Sequence, residues 1–196
     1  MRAYRLTGSA LILVAFGYII WKRPSTFSWT NFFSYFTVLS NCIAAVVLAV
    51  GVLRVRADAD TDERWQMVRG AAVLYMAITG IVYDLLLSDV DVSTPDFSNT
   101  VLHKIMPVVM VLDWLFEPPR VRLRFPRTLV WLAFPLLYLP YTLIRGPIVD
   151  WYPYPFIDPR DHGYAHVAGN CVGIAVGFVA VTWLLTWVGN RLGSAS

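Results

Sequence analysis

The sequence predicts an all-α polytopic membrane protein, a bundle of six transmembrane helices with both termini in the cytoplasm. Three observations lead there. Of 196 residues, 57% are hydrophobic and 15% charged, against about 45–50% and about 25% in soluble domains. Six apolar stretches approach the ~20 residues needed to cross a bilayer. The connections between them are short, so a single six-helix domain is expected over residues 1–196. Trp and Tyr are abundant, as interfacial belts require.

The stretches run in order. Tyr4–Trp21 follows Arg2 and Arg5; no small-residue cleavage site interrupts it, so it reads as an uncleaved first span. Asn31–Leu53 is long and apolar, yet carries Thr37, Ser40 and Asn41 near one end. Those three share a helical face, because residues three and four apart are neighbours. Trp65–Ser88, Ser98–Phe116 and Thr128–Arg145 form spans three to five. The connection from Asp150 to Tyr164 holds Pro153, Pro155 and Pro159, which exclude a regular helix. It reads as an aromatic anchor at the interface or as a lid over a site. Tyr164–Leu192 closes the set. Its Gly169, Gly173 and Gly177 form overlapping GxxxG patterns, the signature of close helix–helix contact. Cys42 and Cys171 lie within apolar spans and read as packed thiols, not as a disulfide framework.

Charge sets the orientation. With both termini inside, the inner regions hold Arg2, Arg5, Arg54, Arg56, Arg64, Arg69, Arg120, Arg122, Arg124, Arg127 and Arg191. The outer regions hold only Lys22, Arg23, Arg145 and Arg160, and Lys104 lies within a span. Such a bias is the positive-inside rule. It also accounts for the net charge of +3 without a nucleic-acid partner.

Orientation then fixes depth. Thr37 falls six residues, roughly 9 Å, below the outer end of span two, and His103 sits at about the same level in span four. Tyr83 and Asp84 lie in the outer half of span three, Tyr141 and Arg145 in that of span five, and His166 and Asn170 in that of span six. The inner halves hold almost nothing ionisable except Asp113. Polar residues of five spans therefore converge on one level. In lipid such groups face protein or water, which makes that level a functional-site hypothesis.

Several chemistries fit. A Thr hydroxyl becomes a nucleophile once a base takes its proton, and His is the usual base. Thr37 and His103 form such a pair if spans two and four are neighbours. Ser34 and Ser40 are other hydroxyls, but neither sits in a G-x-S-x-G elbow. His103, His162, His166 and Asp84 lack metal-ligand spacing, so no metal and no cofactor is expected. Haem ligation by His103 and His166 would require the two to meet across the bundle. A transporter would show paired repeats, and none is evident.

Three motifs add a resemblance: Tyr35-Phe36-Thr37 at the start of span two; Asn99-x-x-x-His103 with Pro107 beyond it; and Tyr154-Pro155-Phe156-Ile157 before the last span. In this order the chain resembles the androgen-induced-gene family of multispanning membrane proteins, which includes the androgen-dependent TFPI-regulating protein, and its bacterial six-span branch. The resemblance implies a threonine hydrolase of lipid esters, such as fatty acid esters of hydroxy fatty acids, in the bacterial cytoplasmic membrane, with its site toward the outer leaflet. Carried over motif by motif, Thr37 is the nucleophile and His103 the base. Lys104 stands where that family has a small polar residue. Around the pair, Ser40, Asn41, Asp84, Asn99, Lys104, Tyr141, Arg145, His166 and Asn170 are the substrate-binding or oxyanion candidates. The expected partners are membrane lipids and the ester substrate. The rival expectation is a non-catalytic lipid-binding protein or small transporter.

Overall fold

The computed structural model describes residues 1–54, 61–88, 90 and 94–193; Arg56, Asp89 and Asp91 lie outside them. Among the described residues every regular element is helical. Six helices are long and apolar enough to cross a membrane: Arg2–Lys22, Phe36–Arg54, Glu63–Leu87, Asp96–Phe116, Phe125–Val149 and Pro159–Gly193. They are spans one to six below.

Span three is the hub, packing against spans two, four, five and six. Ala72, Val73, Leu74 and Met76 are wholly buried, and Gly70 lets span five approach. A Cβ on Gly70 would stand 2.2 Å from the indole of Trp131. Apolar burial does not drive helix association inside lipid, where the tails are equally apolar, so interhelical hydrogen bonds and close packing hold the bundle. Ser9 Oγ donates to the Ala45 carbonyl at 3.1 Å, joining spans one and two. Ser98 Oγ donates to the Ala15 carbonyl at 2.8 Å, joining four and one. Tyr75 Oη donates to the Trp131 carbonyl at 2.9 Å, joining three and five. Trp114 Nε1 donates to the Leu185 carbonyl at 3.1 Å, joining four and six.

One end of the bundle collects most of the arginines, and there the expectation of a nearly uncharged interior fails. Arg5 and Arg69, expected among the loop charges, are buried beside Asp113. Arg5 Nε meets Asp113 Oδ1 at 2.6 Å, and its Nη2 meets Glu117 Oε2 at 2.7 Å. Arg69 Nη2 meets Asp113 Oδ2 at 2.8 Å. Two cations thus face two anions across spans one, three and four. Hydropathy could not show this, because an arginine at a span's edge reads as loop until a carboxylate on another span draws it inward.

The second span begins at Phe36, five residues later than expected. Ser28 Oγ accepts the Asn31 N–H and caps a separate short helix, Trp29–Phe32. Ser34 Oγ then donates to the Thr30 carbonyl at 2.6 Å, and the chain restarts at Phe36. Thr37 therefore lies in the first turn of its helix, not six residues down it.

The last span is kinked at Gly163, whose φ of 73° suits a residue without Cβ. Beyond it, the glycine stripe is turned outward. A Cβ added to Gly169, Gly173 or Gly177 would meet no atom of the described residues within 4 Å. The expected close packing through GxxxG is not made within this chain. Span six touches the bundle instead through Val167, Phe178, Thr182 and Leu185.

Candidate functional site

At the end opposite the arginine cluster, two tyrosines receive the start of span two. The first N–H groups of any helix lack intrahelical acceptors. Here the Phe36 N–H donates to Tyr138 Oη at 3.2 Å, and that hydroxyl donates to the Ser34 carbonyl at 2.7 Å. The Thr37 N–H donates to Tyr154 Oη at 3.2 Å, and Thr37 Oγ1 lies 3.4 Å from the same oxygen. Burial pushes the Tyr154 phenol up to about 12, so it keeps its proton at neutral pH.

Tyr154 is delivered by the connection between spans five and six, which is well anchored. Gly146 leaves room for Tyr152: a Cβ would stand 2.1 Å from its ring. Asp150 turns the chain in the left-handed region at φ 50°. Arg160 then bridges Asp150 and Asp158, at 2.8 and 2.5 Å. The Asp158 carboxyl is held below its ordinary value, chiefly by its hydrogen bonds from Arg160. Tyr154 stacks on Phe156 with ring centroids 5.1 Å apart, and Asn170 Nδ2 donates to the Phe156 carbonyl at 2.9 Å.

Behind these tyrosines lies a cavity of about 300 Å³. Thr37, Tyr138 and Tyr154 stand in its wall, with Ile78 and Val82 of span three, Leu139 of span five, and Ile174 and Phe178 of span six. The wall is overwhelmingly apolar. Thr79 also lines it, but its hydroxyl donates to its own helix at Tyr75 O. Two of the lining residues, Leu136 of span five and Val179 of span six, are 64% and 41% exposed. The cavity thus opens sideways between spans five and six, through the surface that faces acyl chains in a bilayer.

His103 is placed by a break in span four. Pro107 has no N–H for the carbonyl four residues back, which belongs to His103. The hydrogen-bond ladder shifts to a π turn over Val101–Ile105, and the Met106 N–H reaches Val101 O. Gly80 lets the proline ring pack closely, since a Cβ there would stand 2.9 Å from Pro107 Cβ. Span three has its own π turn beside it, Tyr83–Leu87. The His103 ring stacks on Tyr83 at 4.4 Å, and its Nδ1 lies 3.1 Å from the Asn99 carbonyl. Such turns are frequent at functional sites.

Spans two and four are neighbours, as the pair requires. Asn41 Nδ2 donates both to the Thr37 carbonyl, at 2.9 Å, and to the Leu102 carbonyl, at 3.2 Å. One amide therefore links the turn of the threonine to the residue before the histidine. The structure does not join Thr37 and His103 by a hydrogen bond, and His103 is absent from the cavity wall.

The other expected residues are dispersed. Both N–H bonds of Asn41 are engaged, which leaves it no donor for an oxyanion. Ser40 is fully buried, its hydroxyl without a hydrogen-bond partner among the described residues. Asn99 Nδ2 donates to Tyr83 Oη at 2.6 Å. Tyr141 Oη shares a 2.9 Å bond with Ser34 Oγ, and Arg145 Nη2 donates to Asn31 Oδ1 at 2.7 Å while lying over Trp151. Asp84 and Lys104 are exposed. No ion pair joins them among the described residues, and Lys104 Nζ sits over the Tyr83 ring. His166 is exposed beside His162, with ring centroids 4.9 Å apart, and does not meet His103. Among the described residues no three His, Cys, Asp or Glu gather as a metal site.

Tyr138, Tyr154 and Tyr83 are the site residues that sequence reasoning missed. Tyr154 carried a signal, since it opens one of the three motifs. Tyr83 carried one through its place at the polar level of the outer half, whereas Tyr138 carried none, because a tyrosine within a span shows no partner until the helices are packed. Comparison with known proteins finds no matching family model, no matching curated protein and no matching solved structure.

Proposed function

We propose that the protein hydrolyses lipid esters within the membrane, with Thr37 as nucleophile and His103 as base. The observation that carries this reading is the position of the Thr37 hydroxyl: the first turn of a membrane helix, in the wall of an apolar cavity open to acyl chains. An acyl ester enters between spans five and six and brings its carbonyl to Thr37. His103 takes the hydroxyl proton, and Thr37 Oγ1 bonds to the carbonyl carbon. The tetrahedral oxyanion forms at the N-terminus of span two, where the helix dipole is positive. Collapse expels the alcohol, which takes its proton from His103. Water then attacks the acyl-threonine and gives a proton to His103, which passes it to Thr37 Oγ1 as the fatty acid leaves. Substrate binding brings Thr37 and His103 into reach; catalytic hydrogen bonds are often long beforehand and tighten in the complex.

The second reading is a non-catalytic lipid-binding protein. It is favoured by the contact of Thr37 Oγ1 with Tyr154 and by the stacking of His103 on Tyr83. One experiment separates them. The purified protein is incubated with fatty acid esters of hydroxy fatty acids and with a fluorophosphonate probe. The hydrolase reading expects turnover and labelling, both abolished in Thr37→Ala and lowered about 10²–10⁴-fold in His103→Ala. Turnover that persists in both variants removes the assignment. Ester binding without turnover in the wild type establishes the second reading.

A further inference from the structure

We infer that the groove between the 119–126 connection and the end of span six binds the phosphate headgroup of an anionic phospholipid. This does not rest on the hydrolase reading, since the groove lies at the arginine-rich end, away from the cavity of Thr37.

The local sequence there is RVRLR, from Arg120 to Arg124. Its backbone is neither helical nor paired, and in extended chain alternate residues point to opposite sides. Leu123 is 2% exposed and anchors the segment, whereas Arg120, Arg122 and Arg124 are all exposed. Asn190 of span six clamps the segment through its amide: the Leu123 N–H donates to Oδ1 and Nδ2 donates to the Leu123 carbonyl, both at 2.8 Å. The guanidinium groups therefore stand on backbone held to a membrane helix.

Two adjoining hollows result, of about 560 and 580 Å³, which share Arg122, Trp187 and Asn190. Arg191 borders the first and Arg124 the second. The acidic side chains nearby are already engaged by other cations. Asp113 and Glu117 face Arg5 and Arg69, Asp62 faces Arg54, and Glu63 faces Arg127. Among the described residues no ion pair engages Arg122 or Arg124. Guanidinium groups recognise a phosphate through paired, fork-like hydrogen bonds.

The flank of the hollows indicates a lipid as its source. Trp183 and Trp187 stack along span six, 6.3 Å apart, and are 54% and 47% exposed. Tryptophan in that position marks headgroup depth. Val179 and Val176, 41% and 64% exposed, continue the apolar surface of span six toward the bilayer centre, where the acyl chains of a bound lipid would lie. Basic pockets between helices on the cytoplasmic side suit such headgroups, and the charge bias assigns this end to that side.

The test is native mass spectrometry of the whole protein in neutral detergent, with dioleoylphosphatidylglycerol or dioleoylphosphatidylcholine added. The wild type is expected to retain the anionic lipid at least about tenfold more tightly than the zwitterionic one. Arg122→Gln/Arg124→Gln is expected to erase that preference, and each single variant to reduce it about threefold or more. The orientation survives these changes, because the arginine bias remains large. Arg127→Gln, outside the hollows, should stay within about twofold of wild type. No preference in the wild type, an unchanged preference in the double variant, or an equal loss in Arg127→Gln would each overturn the site. Release of the bound lipid by millimolar inorganic phosphate would show a site for free anion and overturn the lipid assignment.

Discussion

At the scale of single residues, Tyr154 does the most that hydropathy could not announce. One phenol accepts the Thr37 N–H and touches the Thr37 hydroxyl. Tyr154→Phe leaves a buried N–H without its acceptor, a cost of about 1–3 kcal/mol. The expected result is a lower melting temperature in detergent and, if Thr37 is the nucleophile, a fall in turnover beyond the loss of folded protein. The wild type should also weaken at alkaline pH. Its folded-state value, pushed up to about 12 by burial, lies above the ~10 of an exposed tyrosine. The stability this group contributes is complete below about pH 10 and is lost as pH rises through 12. Melting curves from pH 8 to 12 check this, with Tyr154→Phe showing the smaller alkaline loss.

At the scale of elements, the glycines separate contacts made within the chain from surface left open. Gly70 of span three faces a wholly enclosed tryptophan, whereas Gly173 of span six faces no described atom. Gly70→Ala overpacks that contact and is expected to cost about 1–3 kcal/mol. Gly173→Ala should stay within about 0.5 kcal/mol of wild type, as surface changes do. Thermal melts of the two variants side by side decide the point. The sequence could not rank these glycines. The GxxxG pattern drew attention to span six, while Gly70, which admits a neighbour, sits in span three without any pattern. Spacing shows which residues share a face, not whether another helix lies against it.

At the scale of the whole molecule, the buried cluster of Arg5, Arg69, Asp113 and Glu117 ties spans one, three and four at one end. Removing one partner leaves an uncompensated buried charge, which costs about 3–5 kcal/mol. Asp113→Asn is therefore expected to lower both the yield of folded protein and its melting temperature. The wild-type melting temperature should change little with added salt, since buried pairs are weakly screened. A strong salt dependence would place the cluster in contact with water.

By itself the sequence determined the properties that depend on composition and on order along the chain. The all-helical class and the six apolar helices belong there, because length and hydropathy depend only on consecutive residues. The start of span two was misplaced, since a capped turn at Ser28 looks apolar enough to continue the helix. The level expected for Thr37 rested on a fixed rise per residue counted from Asn31, but Asn31 belongs to a separate short helix, so that count did not hold. Only the tertiary structure decided what those residues meet. Thr37 faces a cavity and a tyrosine from a distant connection, His103 stacks on Tyr83, and Arg5 and Arg69 enter the interior to meet Asp113. Each of these depends on which helices stand side by side and how each is rotated. Residues far apart in the chain set that arrangement, and no local pattern encodes it.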